Sequence, residues 1–386
     1  MKNGSITLQN GYGRVLLLSL ILPVAAFVQL ILLPRLPEKY FYDSSYILSI
    51  FLGQSCGTGG WAVTANFFRL LDWFHFTTLS EWSCLLAVVF NLYLFFSLMK
   101  YPAFKLPNYL FTLCVTALLN IYVFRMSKEL LQYLIFILAA EFIRSRLEYK
   151  LKAGIIALLL AAEGFIFRSY YYLICVLFLL LCFFIRAGKN RRYFLVWFGI
   201  CCIAGLLALK YLSYENYMQL ITIRDYLTLS RVNSADANTL IVNLFETNGS
   251  LLLFAVNYVI NLFRILLPLE LIGKGAFYLA FVFFQLLVTV RFISVGVGNA
   301  ASLLSPSEGI NQDNRLQLAF CLILAYFLVS IIFEPDFGSF IRHETAFCPI
   351  LFEFFLVSRR EQPTLSLSAS KYNKSPANSL NCSPAR

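Results

Sequence analysis

The chain has 386 residues, 60% of them apolar and 13% charged, with a formal net charge of +11. Soluble domains carry charge on about a quarter of their residues, so the composition excludes an ordinary soluble enzyme and predicts an all-α, polytopic integral membrane protein. The basic excess lies in short segments between apolar runs, which is the positive-inside pattern and not a nucleic-acid face.

In chain order, apolar runs long enough to suggest spans fall at about 14–33, 83–99, 107–124, 129–143, 153–167, 169–185, 193–211, 276–294, 316–333 and 345–358. With one irregular segment at 250–271, about 10–11 transmembrane helices are expected. The first run follows a polar stretch without a small-residue cleavage site and reads as an uncleaved span. Basic residues collect at Lys100 and Lys105, at Arg144, Arg146, Lys150 and Lys152, at Arg186, Lys189, Arg191 and Arg192, and from Arg359 onward. These predict a cytoplasmic face that includes both termini. Residues 1–358 read as one transmembrane domain with outer loops at 34–82 and 210–249, and the Ser-, Asn-, Pro- and Lys-rich segment 359–386 as a disordered cytoplasmic tail.

The first outer loop holds YFYDSS, with Asp43 as a candidate base, then the glycine-rich GQSCGTGGW, which lacks the Lys-Ser/Thr ending of a phosphate loop and reads as a turn. His75 lies in an aromatic stretch and reads as an interfacial ring. In FRMSKE, Ser127 can cap the next helix with Glu129 in its first turn, while Arg125 and Lys128 form a cation pair where outer loops tend to lack one. In FIFRSYYY, Arg168 stands between two short runs, as a snorkelling side chain or an anion ligand. The run at 250–271 places Asn257, Asn261, Arg264 and Pro268 on one side, predicting an interfacial or re-entrant helix with its stripe turned to a wet cavity, or else a full crossing. The loop 210–249 adds Arg224, Asp225, Arg231, Asp236 and Asn238 among tyrosines, a composition common to sugar-binding surfaces and ordinary outer loops.

The densest charge lies in FEPDFGSFIRHETAFCP, residues 333–349. Ionisable groups at the edges of apolar segments are costly and so mark function. Arg342 sets a fixed cation beside His343, the side chain that titrates nearest neutrality. Glu334 and Asp336 across Pro335 could instead clamp Mg or Mn. Most of the ten cysteines, among them Cys84, Cys114, Cys175, Cys182, Cys201, Cys202 and Cys321, lie in apolar runs, and no Cys/His spacing suggests zinc. Neither a metal nor a cofactor is expected.

Together FEPDFGSFIRHETAFCPIL, SKELLQYLIFIL, FRSYYY and NYVINLFRILLPLELIGKGAFYLAFVFFQL resemble the bacterial Wzy-type polymerases of O-antigen and capsule polysaccharide, from Met126 to Leu356. The resemblance implies a membrane-embedded glycosyltransferase of GT-C-like architecture in the bacterial inner membrane. It would polymerise oligosaccharide repeat units carried on polyprenyl (undecaprenyl) diphosphate at the periplasmic face, in contact with membrane lipid and with a possible chain-length regulator protein. It places Arg125, Lys128, Arg168, Arg264 and Arg342 at the diphosphate and His343 at the acceptor, with Asp43 or Glu344 as substitute bases. An O-antigen ligase is the nearest alternative, and a flippase or transporter the non-enzymatic one.

Overall fold

The computed structural model describes residue 15, residues 18–101, 106–187, 239–298 and 311–356, and single positions between 215 and 229. Among them the chain forms α1 (Ile21–Phe27), α2 (Tyr42–Phe51), α3 (Gly59–Leu71), α4 (Leu79–Met99), α5 (Leu106–Tyr122), α6 (Lys128–Arg144), α7 (Tyr149–Ile166) and α8 (Tyr171–Ala187). After residue 250 come α9 (Leu251–Leu266), α10 (Ala276–Gly298), α11 (Asn311–Phe333), α12 (Phe337–Ala346) and α13 (Cys348–Leu356).

Side-chain caps fix where several helices begin. Thr78 and Glu81 form a reciprocal capping box at α4. The Ser127 hydroxyl accepts from the Leu130 N–H at 3.2 Å, which starts α6 directly after Arg125 and Met126. The Asp336 carboxylate accepts from the Ser339 N–H at 2.7 Å and opens α12. The Ser127 and Asp336 caps fix where α6 and α12 begin, and α12 packs on both α5 and α6.

The innermost element is α13, with all nine residues buried between α6, α10 and α11. Phe347, at the α12–α13 joint, stacks on Tyr326 of α11 at 4.5 Å and meets Phe136 of α6 edge-on at 4.8 Å. This aromatic wedge holds α12 in fixed register against α6. The α7–α8 hairpin packs alongside, α7 on α6 and α8 on α11, and its tight turn at Arg168 reaches the same end of the assembly.

The all-α content stands, but the expected bundle of 10–11 spans does not. Among the described residues three helices are long and apolar enough to cross a membrane: Leu79–Met99, Tyr278–Gly298 and Asn314–Phe333. The runs at 129–143, 153–167 and 345–358 are helices of 17, 18 and 9 residues. They bury apolar faces against one another and carry buried Glu129, Glu163 and Glu353. At 1.5 Å per residue, nine residues reach roughly 14 Å, about half a bilayer's hydrocarbon thickness. Even Asn314–Phe333 is covered by protein over 72% of its apolar window. An apolar run records that a surface avoids water; whether lipid or a neighbouring helix covers it depends on packing. The GT-C-like architecture and the multi-pass inner-membrane topology inferred from those runs are therefore corrected to an all-α assembly with three helices of crossing length among the described residues.

The polar stripe of α9 also has a role that was not expected. Asn257 donates to the Phe245 carbonyl at 2.7 Å and accepts from its N–H at 3.1 Å, Asn261 donates to Asn243 at 2.8 Å, and Arg264 donates to the Val242 carbonyl at 2.5 Å. Asn257 and Asn261 also line a small cavity together with Arg224, Asn243 and Tyr258, and their hydrogen bonds hold the segment 242–245 by backbone groups that an extended chain leaves unsatisfied. The expected span at 193–211, the tail from Arg359, and Lys105, Lys189, Arg191, Arg192, Arg231, Asp236, Asn238, Cys201 and Cys202 lie outside the described residues.

Candidate functional site

Four separate parts of the sequence meet around Glu129: the turn before α6, the Arg168 turn between α7 and α8, the α12 residues Arg342 and His343, and Asp43 of α2. Glu129 is 1% exposed. Its Oε1 accepts from Arg168 Nη2 at 3.1 Å and lies 3.3 Å from Arg342 Nε and 3.7 Å from His343 Nε2. Burial alone would raise this carboxyl, but the Arg342 and Arg168 guanidiniums outweigh it and hold it well below the usual carboxylate range. Gln132, one turn on along α6, accepts from Arg168 Nη1 at 2.8 Å and donates to Glu163 of α7. Glu163 is pushed up to about 7 by burial.

His343 is buried and its two ring nitrogens have different surroundings. Nδ1 sits 2.6 Å from Glu334 Oε1, an oxygen that also accepts from the Tyr170 hydroxyl at 2.9 Å. Nε2 meets Arg168 Nη2. Burial and the adjacent Arg168 lower the imidazole against the pull of Glu334. Glu334 would rise on burial, but the contact with His343 and the charge of Arg168 bring it down to about 2. A neutral imidazole beside a carboxylate donates from Nδ1, which leaves the Nε2 lone pair toward Arg168.

Arg342 is the open edge of the cluster, with 26% of its side chain exposed, and its Nη1 donates to Asp43 Oδ2 at 3.0 Å. Burial would lower it, but Glu129 and Asp43 raise it. Lys128 stands 4.0 Å over the Trp61 ring, a cation–π contact. Arg125 lies over the Phe41 ring at 5.4 Å and is only 3% exposed, with no acceptor for its Nε and Nη1 among the described residues. Burial brings it down to about 10, opposed by Glu129.

The structure thus brings Asp43, Arg125, Lys128, Arg168, Arg342 and His343 together. It does not bring Arg264 or Glu344 with them. Arg264 pairs with Glu270 at 2.8 Å, six residues on past the Pro268 turn. Glu344, one residue after His343, turns the other way, toward Gln285 of α10, with neither carboxyl oxygen in a formed hydrogen bond; burial pushes it up to about 8. The alternative clamp of Glu334 and Asp336 is not formed either, since Glu334 serves His343 and Tyr170 while Asp336 caps α12. His75 is exposed and distant in contact from the cluster, 3.8 Å from Asp72.

Three members of the site were not singled out in sequence. Glu129 reads there as a helix-start residue, Gln132 as part of an apolar run, and Tyr170 as one of a tyrosine belt. The available signal was the i, i+3 spacing of Glu129 and Gln132, two polar groups stacked on one face of an apolar helix.

No protein family, no curated protein and no solved structure matches this chain. Together with the fold, this overturns the likeness to Wzy-type polymerases. The activities drawn from it fall with it: repeat-unit polymerisation, O-antigen ligation and polysaccharide export.

Proposed function

We propose that the cluster around Glu129 binds the phosphate oxygens of a diphosphate-activated donor and that the chain is a transferase. The observation carrying this reading is Arg125: a guanidinium 3% exposed whose Nε and Nη1 lack acceptors among the described residues, beside Arg342, whose Nε lies 3.3 Å from the Glu129 carboxylate without a formed hydrogen bond. A buried donor without an acceptor costs about 1–3 kcal/mol, more when charged. A phosphate arriving between these residues would relieve that cost, since guanidinium groups bind phosphate oxygens two at a time.

In the transfer, the bond from the donor carbon to the diphosphate oxygen breaks and its electron pair goes to that oxygen. Arg125, Arg168 and Arg342 stabilise the charge there. The acceptor hydroxyl oxygen bonds to the donor carbon and gives its proton to His343 Nε2, while Glu334 at Nδ1 fixes the tautomer and steadies the imidazolium. Asp43 and Arg342, the more exposed members, stand where a substrate would enter.

Calorimetric titration of the full-length chain with inorganic pyrophosphate tests the reading. Saturable binding is expected, weakened at least ~10-fold in Arg342→Gln through the loss of a charge-assisted contact. His343→Gln should retain that affinity and lower donor turnover about 100-fold or more. A wild-type chain that does not bind pyrophosphate would end the proposal.

A further inference from the structure

Arg168 makes a contact that anion binding alone does not require. Its Nη2 reaches both Glu129 Oε1 and the Nε2 of His343, while its Nη1 is tied to Gln132. Nε2 is the nitrogen a base would use, because Nδ1 is committed to Glu334. In the unliganded arrangement the lone pair of that nitrogen is therefore covered by an N–H of a guanidinium.

We propose that Arg168 is a positioning residue that masks the His343 base until an anion occupies the site, so that arrival of the donor phosphate uncovers it. The inference rests on the reading of the cluster as a phosphate site. An incoming phosphate adds acceptors of higher charge density than a neutral imidazole nitrogen, and Arg168 Nη2 turns toward them. Two consequences act in the same direction. The lone pair is exposed, and the negative charge beside it favours the imidazolium that forms when the acceptor proton moves. With no donor bound, the base stays covered and a stray hydroxyl or water is not activated.

The groups that set this balance come from every element around the ring. From α6 and the turn before it come Glu129, Lys128 and Arg125; from the α7–α8 turn, Arg168, Tyr170 and Tyr171; from the end of α11, Glu334, with Tyr326 deeper; and from α12 itself, Arg342. Glu129 and Glu334 favour the imidazolium, and Arg168 and Arg342 oppose it. Moving Arg168 from the nitrogen to a phosphate removes the nearest opposing group.

The chain has two histidines, and His75 is exposed with a side-chain accessibility of 90%, which supplies an internal reference. Histidine-labelled full-length protein is titrated by NMR with and without saturating inorganic pyrophosphate, with saturation established by calorimetry. The His343 protonation constant should rise about tenfold or more on binding while His75 does not move. In Arg168→Gln the free protein should already show the raised constant, with a smaller further rise on pyrophosphate. Arg168→Lys, which keeps the charge but cannot hold Glu129, Gln132 and His343 together, should fall between the two and guards against a Gln variant that fails to fold. An unchanged His343 in a pyrophosphate-saturated protein, or an equal response in wild type and Arg168→Gln, overturns the masking role and leaves the phosphate site intact. Absence of pyrophosphate binding removes both.

Discussion

The two ends of α6 each carry a charged cluster, on the order of 20 Å apart along the helix, and they are built on opposite principles. At the C-terminal end, Glu353 is fully buried and both its oxygens are taken: Oε1 by the Tyr101 hydroxyl and Arg144 Nε, Oε2 by Arg315 Nη2 at 2.9 Å. Arg144 closes the network on Glu141 at 2.8 Å and Tyr101 at 2.9 Å, and Lys100 donates to Glu141 at 3.1 Å. At the N-terminal end, Glu129 is shared by Arg168 and Arg342, while the buried Nε and Nη1 of Arg125 have no acceptor among the described residues. At Glu353 the carboxylate is filled on every side and joins α6, α11 and α13 with the residues just past α4, and the one donor without an acceptor among the described residues of the network, Arg315 Nε, belongs to a guanidinium already paired with Glu353. A guanidinium with buried donors to spare costs stability, and binding can recover that cost. The difference separates a structural lock from a site, although the same residue types build both.

The largest expected effect comes from breaking the lock. Glu353→Gln leaves Arg144 and Arg315 buried without their anion and should lose about 3–5 kcal/mol in denaturant unfolding. Pyrophosphate affinity of the protein that remains folded should stay within about twofold of wild type. A large loss of affinity at unchanged stability would show that the two ends are not separate in role.

Glu344 sharpens the comparison as a buried carboxyl with no ion-pair partner among the described residues. Its folded value of about 8 lies above the unfolded 4.5, so the folded state holds a proton that the unfolded chain releases. Its penalty is absent below pH 4.5, grows as pH rises to about 8, and is constant above. Glu344→Gln should therefore match wild type near pH 4 and exceed it at pH 8 by about 4 kcal/mol, read from unfolding curves at the two pH values. Equal stability at pH 8 would show that the carboxyl has a compensating partner.

The smallest effect belongs to Asp43, which competes for Arg342 at the open edge. Asp43→Asn should raise pyrophosphate affinity about 2- to 10-fold with a stability change under about 1 kcal/mol, as for a partly exposed pair. Weaker pyrophosphate binding in this variant would mean that Asp43 orients Arg342 for the ligand.

Local chemistry was legible in the sequence where it depends on neighbours. Ser127 before Lys128 and Glu129 marks the start of α6, and an arginine in an apolar hairpin or beside a histidine marks a group that needs a partner. What could not be read was which partner. Arg264 finds Glu270 across a proline turn close by, whereas Arg342 finds Asp43 299 positions away in sequence, and nothing local distinguishes the two. Glu344 follows His343 directly, yet a step of one residue on a helix turns about 100° and sends it to the opposite wall. The count of crossings failed for a related reason: the run at 345–358 is as apolar as a span, but protein surrounds its described residues 345–356, and hydropathy does not report what lies on the far side of a surface.

The most direct measurement is the melting temperature of wild type and Arg125→Met side by side, each with and without saturating inorganic pyrophosphate. If Arg125 is held unsatisfied for a ligand, Arg125→Met melts higher than wild type in the absence of pyrophosphate, by an amount corresponding to about 1–3 kcal/mol, and gains little when pyrophosphate is added, whereas wild type gains clearly. An Arg125→Met chain that melts lower and still responds fully to pyrophosphate would make Arg125 a structural residue and contradict the account.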